Sequence, residues 1–152
     1  MSKEIFRKQK KIVAEFDALP DVDAKYAYLF QLAENMPEME QGLKTDANLV
    51  NGCQSALWCR LDCHDGRVYL AADSESLVIK GIAALLFRVI NGSRPSEVER
   101  LNLEFIDQLR IWKLPSKRNN SLMAMLDHIK AQARDLQQNL NSTSEGPGTC
   151  QD

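Results

Sequence analysis

The segment Leu77-Val78-Ile79-Lys80-Gly81-Ile82-Ala83-Ala84-Leu85-Leu86-Phe87-Arg88-Val89-Ile90, drawn as a helix, is apolar around nearly its whole circumference. A helix without a polar face belongs at the centre of a domain, so the remaining elements must be arranged around it. It is too short to span a bilayer, and Lys80, Gly81 and Arg88 interrupt it. Asp73 or Ser74 is placed to cap its start, and Asn91-Gly92 offers a left-handed stop.

The chain has 152 residues, enough for one domain with a real core. Ile5, Ile12, Val13, Phe16 and Leu19 recur at helical spacing, which predicts an amphipathic helix over 3–19 before Pro20. Asp21 or Asp23 then caps a second helix with the face Tyr28, Leu29, Leu32, Ala33 and Met36, stopped by Pro37. Residues 15–46 hold eight acidic and two basic side chains, which reads as a solvated helix face or a docking surface. Pro95 opens a short helix near 95–101, and Phe105, Ile106 and Leu109 mark another. Leu122, Met125, Leu126, Ile129, Ala133, Leu136 and Leu140 form the stripe of a final helix capped by Asn120 or Ser121.

Between these helices the period changes. Leu57, Cys59, Leu61 and Cys63 alternate with Trp58, Arg60 and Asp62, the signature of a half-buried strand over 55–63. His64-Asp65-Gly66 is a hairpin turn and Arg67 to Ala72 its return strand, while residues 47–50 supply a third short strand. The expected fold class is α+β, a small antiparallel sheet of about three strands with helices packed on one face. Residues 1–138 are expected to form a single domain, and 139–152, with Ser142 to Gly148 unable to bury a core, a disordered tail.

The net charge of -2 argues against a nucleic-acid binder, and the N-terminus lacks the apolar region of a secretory signal. A cytoplasmic location is expected, with no membrane partner. There Cys53, Cys59, Cys63 and Cys150 would be thiols, metal ligands or catalytic groups rather than disulfides. A metal site is poorly supported. The spacing C-x5-C-x3-C-H provides no second ligand pair, and Cys59 and Cys63 on one strand would stand about 13 Å apart. Cys59 and Cys63 read as small core residues, His64 as a turn residue, His128 as an exposed helix residue, and Cys150 as having no structural role. A cysteine hydrolase lacks a recognisable base and orienting group.

Cys53 differs in context. It follows Asn51-Gly52, so the backbone turns there, and Leu57 and Trp58 just beyond are placed to anchor the loop. The residues by themselves leave open whether this thiol works or is incidental, because reactivity depends on a pKa that sequence does not display.

Val50-Asn51-Gly52-Cys53-Gln54-Ser55-Ala56-Leu57-Trp58 resembles the Gly-Cys-Gln/x-Ser-x-x-Trp loop of the SufE family of sulfur acceptors, CsdE-like members included. Three further stretches agree in order: Lys25 to Leu29 with Met36-Pro37-Glu38, Asp73 to Gly81, and Leu114 to Leu122. Together they span roughly residues 10 to 138. The resemblance implies a SufE/IscU-like fold and a sulfur carrier rather than a stand-alone enzyme. Cys53 would take persulfide sulfur from a PLP-dependent cysteine desulfurase, SufS-like or CsdA-like, and stimulate it. The sulfur would pass to a SufBCD-like scaffold for iron–sulfur cluster assembly. Gln54, Trp58 and Arg118 match family positions at the loop and at the start of the final helix. No cofactor is implied for this chain, since the PLP belongs to the partner. Two other readings remain: a metal or cluster scaffold on Cys53, Cys59 and Cys63, and a non-catalytic adaptor that activates the desulfurase by binding.

Overall fold

The computed structural model describes residues 2–52, 55–111, 120–142 and 150–151. Helix α1 (Lys3–Asp17) starts where Ser2 Oγ accepts the Ile5 N–H at 3.1 Å, and buries Ile5, Ile12 and Phe16. Helix α2 (Val22–Asn35) is capped by Asp21, whose Oδ1 accepts the Ala24 N–H at 2.8 Å. A short 3-10 turn, Gln41–Leu43, leads to the hairpin of β1 (Leu57–His64) and β2 (Arg67–Ser74). Helices α3 (Leu77–Ile90), α4 (Pro95–Glu99), α5 (Glu104–Gln108) and α6 (Asn120–Ser142) follow, and a two-residue strand β3 (Cys150–Gln151) comes last.

Helix α3 occupies the centre, as its composition demands. Residues from Gly81 through Leu86, with Val89 and Ile90, are buried between α2 and β2. Gly81 makes the α2 contact possible. A Cβ there would lie 2.5 Å from Leu29 Cγ and 2.7 Å from the Leu29 carbonyl oxygen, so no larger residue fits without moving the α2 backbone. The two charges on this central helix reach its rim. Lys80 pairs with Asp73 at 3.2 Å, and Arg88 pairs with Glu15 of α1 at 2.7 and 2.8 Å in a bidentate fork. Tyr28 of α2 also donates to Glu15, so one carboxylate ties three helices together.

The hairpin has the alternation expected of it. Leu57, Cys59, Leu61 and Cys63 are buried, while Arg60, Asp62 and His64 face out. Leu57 pairs with Ser74 and His64 with Arg67 at the two ends of the register. Asp65 and Gly66 both have positive φ (56° and 77°), the type I′ geometry whose twist matches a two-residue hairpin.

Three expectations are corrected. The third strand is not 47–50, which contributes one isolated bridge, Leu49 with Trp58. It is β3, parallel to β1 with Cys63 opposite Cys150, so the sheet order is β2-β1-β3 and the sheet is mixed. The α3 cap is Ser76, whose Oγ accepts the Ile79 N–H at 3.3 Å. Asp73 and Ser74 are taken instead by the longer β2, where they pair with Trp58 and Leu57. Finally, Cys150, read as having no structural role, lies in a strand, while α6 runs from Asn120 to Ser142. No described helix is long and apolar enough to cross a membrane.

Gly81→Ala should lower stability by about 2–3 kcal/mol in urea titration, since it forces two packed backbones apart. For Glu15, the Arg88 hydrogen bonds above all hold the carboxyl below its ordinary range, against the opposing effect of burial. A depressed carboxylate pKa contributes stability above the unfolded value and loses it as pH falls through the folded value. Glu15→Gln should therefore cost about 1–2 kcal/mol at pH 7, and the difference from wild type should shrink as the pH falls through the lowered folded value and acid protonates Glu15.

Candidate functional site

The loop that joins Val50 to Leu57 is closed at its base by two backbone bonds. Val50 N–H donates to Leu57 O at 2.8 Å, and Cys59 N–H donates to Asn48 O at 2.8 Å. Asn51 and Gly52 turn the chain, with Gly52 at φ +96°, a conformation side chains rarely adopt. A Cβ at Gly52 would sit 3.5 Å from Ala124 Cβ, which seats this side of the loop on α6. On the other side Ala56 is fixed from three directions. Its N–H donates to Glu75 Oε1 (3.1 Å), and its carbonyl accepts from Glu75 N–H (3.0 Å) and Ser74 Oγ (2.8 Å).

Cys53 and Gln54 lie in sequence between Gly52 and Ser55, outside the described residues, as does Arg118. Of the residues singled out, Trp58 is the one the structure places. Leu57 beside it is fully buried and anchors the loop in the core, whereas Trp58 is half-buried on the outer face of the hairpin, opposite Asp73. Lys44 Nζ lies 5.4 Å from the centre of its ring and 2.6 Å from Asp73 Oδ2. Lys80 takes the other carboxylate oxygen. Burial pushes the Asp73 carboxyl up, but Lys44, Lys80 and the Ser74 N–H outweigh it and hold it below its ordinary value. With side chains of Lys44 and Asp73 only 17% and 19% exposed, this pair is worth more than a surface ion pair.

The other cysteines and histidines stand apart from one another in role. Cys59 is a fully buried thiol facing the core, as its spacing suggests. Cys63 is buried too, but it is disulfide-bonded, which corrects the expectation that every cysteine is a thiol or ligand; the residue aligned with it on β3 is Cys150. A cluster scaffold on Cys53, Cys59 and Cys63 needs three thiolates, and a disulfide-bonded Cys63 does not offer one. Among the described residues no three His, Cys, Asp or Glu side chains gather in a metal-binding group. His64 is exposed at the end of β1. His128 is not the exposed helix residue expected: it is half-buried, with Nε2 3.0 Å from Cys59 O.

Gln132 is a residue the sequence reading missed. Its Oε1 accepts the Leu61 N–H at 2.6 Å, and its Nε2 donates to Cys59 O at 3.2 Å and to Asn48 Oδ1 at 3.3 Å. The available signal was the row Ala124, His128, Gln132 at four-residue spacing, which runs beside the apolar stripe of α6 and lies against the chain from Gly52 to Leu61. A polar cleft of about 330 Å³, lined in part by Asp65, Arg67, Arg94 and Gln137, sits at the far end of the hairpin from this loop.

Comparison with known proteins matches residues 10–133 to the family model described as SufE, Fe-S metabolism associated domain. An uncharacterised SufE-like protein of Rhizobium meliloti is 29% identical over 129 residues, 81% of this chain and 92% of that protein. A SufE-like protein of Synechocystis is 36% identical over 112 residues, 72% of this chain and 70% of its own. SufE-like protein 1 of Arabidopsis thaliana, chloroplastic/mitochondrial, is 33% identical over 136 residues, 88% of this chain but 37% of that longer protein. The fold is shared with a solved structure, a hypothetical protein from Thermus thermophilus, at a TM-score of 0.69 and 23% identity, covering 84% of this chain and 94% of that one.

Asp73→Asn should leave Lys44 and Lys80 without a counter-charge beside Trp58. A drop of about 3–8 °C in thermal midpoint is expected, corresponding to ~1–2 kcal/mol. An unchanged midpoint would show that the two ammonium groups do not depend on this carboxylate.

Proposed function

Since this chain belongs to the SufE family, a family associated with iron–sulfur metabolism, we propose that Cys53 is a sulfur carrier which accepts persulfide sulfur from a PLP-dependent cysteine desulfurase. The observation that carries this reading is the loop from Val50 to Leu57. Its sequence contains the family's cysteine, and the described chain on both sides of Cys53 is held by backbone and side-chain bonds.

The chemistry is a thiol–persulfide exchange. The Cys53 thiolate attacks the outer sulfur of the donor's persulfide, the donor's sulfur–sulfur bond breaks, and the donor cysteine leaves as a thiolate. One sulfur–sulfur bond replaces another, so no external oxidant or reductant enters and the step is close to balanced in energy. Its rate is then governed by how well the thiolate is brought in line with the bond being broken. PLP supplies the carbon–sulfur cleavage on the desulfurase, and this chain needs no triad of its own. The proposed donor is SufS-like or CsdA-like, with a SufBCD-like assembly scaffold as the next acceptor. Gln54 and Arg118 are assigned to loop and partner contacts by their match to the family pattern.

The adaptor reading makes a different prediction, because it needs the surface and not the sulfur. Cys53→Ser should keep the wild-type thermal midpoint and still bind the desulfurase, yet lose essentially all stimulation of sulfide or persulfide output from cysteine. Stimulation at the wild-type level by this variant would favour the adaptor and remove Cys53 from the reaction.

A further inference from the structure

The two arms that lead into residues 53 and 54 are held very differently. The arm at 57–64 is a strand paired along its length with β2. The arm at 48–50 has the two backbone bonds to Leu57 and Cys59 and two turn bonds, from Asn48 N–H to Thr45 O and from Leu49 N–H to Asp46 O, and its side-chain tie to the rest of the domain is Asn48. That side chain is buried, donates to Leu43 O at 2.7 Å and accepts from Gln132. The same Gln132 carboxamide holds the other arm through Cys59 O and Leu61 N–H.

A carboxamide has one acceptor oxygen and two N–H groups, and here the three are directed at three different partners. Rotating or removing the group breaks all three bonds together. His128 Nε2 lies 3.0 Å from both Cys59 O and Gln132 Nε2, and a single ring nitrogen either donates to the first or accepts from the second. Helix α6 therefore reaches both arms through Gln132, about two turns along the helix from the Ala124 contact at Gly52.

We propose that Gln132 is a positioning residue for sulfur transfer. Acting through Asn48, it fixes the spacing of the two arms and hence how Cys53 is presented to the donor persulfide. The inference rests on the carrier reading of Cys53. It concerns the maximal rate rather than docking, because Gln132 points inward onto the two arms. Small displacements of a reacting atom carry large kinetic penalties, of order a hundredfold for about 1 Å.

The test uses Gln132→Met, which keeps the length of the side chain and removes its hydrogen bonds, together with Asn48→Ala and the double variant. With a desulfurase and cysteine, the maximal rate of sulfur acceptance at saturating carrier should fall about tenfold, with the half-saturating concentration within about twofold of wild type. The double variant should lose less than the product of the two single losses, since the Gln132–Asn48 bond is common to both. Gln132→Glu, which sets a negative charge against Cys59 O and Asn48 Oδ1, should reproduce the loss and serves if the Met variant folds poorly.

A second readout needs no desulfurase. The alkylation rate of Cys53 by iodoacetamide, measured on its peptide well below each variant's melting temperature, should rise at least about threefold in Gln132→Met. Rates within about twofold of wild type in both assays, additive losses in the double variant, or a change confined to the half-saturating concentration would overturn the proposal. If wild-type protein accepts no sulfur, the carrier reading fails, and the alkylation arm still decides whether Gln132 governs the presentation of Cys53.

Discussion

The approach of α2 to α3 at Gly81 is the constraint on which the rest of the molecule depends. Because no side chain stands between them there, Leu29 packs directly on the α3 backbone, and the most apolar helix of the chain is sealed on that side. β2 covers another side, which fixes the hairpin relative to the helices. The two charges that α3 carries become rim fasteners: Arg88 holds α1 through Glu15, and Lys80 holds the end of β2 through Asp73. A residue larger than glycine at 81 would disturb all of these at once.

The loop inherits its geometry from that frame. Asp73, Ser74 and Glu75 close β2 and, in three consecutive residues, bind Lys44 ahead of the loop and Ala56 after it. Helix α6 supports the opposite side through Ala124, His128 and Gln132. A carrier cysteine has two needs, to be presented reproducibly and to reach another protein. The anchored arms on either side of residues 53 and 54 serve the first need of the proposed carrier, whereas a catalytic triad would add a base that thiol–persulfide exchange does not require.

Much of this was legible in the residues. The all-round apolar character of 77–90, the alternation of 57–63 and the Asp-Gly turn are strong local signals, and each corresponds to an observed element. The family resemblance, read from four short stretches, agrees with a family match over most of the chain. The misreadings share a cause, which is that long-range pairing overrode local preference. Asp73 and Ser74 are good helix caps, but β1 recruits them as strand residues. Residues 47–50 have strand-like composition, but they meet β1 at one bridge, and residues from the far end of the chain supply the third strand. His128 and Gln132 look like ordinary solvent-facing helix residues until β1 is placed beside α6 and its backbone needs partners. Cys63 looked like a core thiol because nothing local announces a disulfide.

The most direct test of the carrier role is peptide-resolved mass spectrometry of the full chain after incubation with a cysteine desulfurase and cysteine. The added mass of a sulfur atom is predicted on the peptide containing Cys53, removed by a thiol reductant, with the Cys59 peptide unmodified. Sulfur appearing elsewhere, or a Cys53 peptide that stays unmodified while the desulfurase turns over, would contradict it.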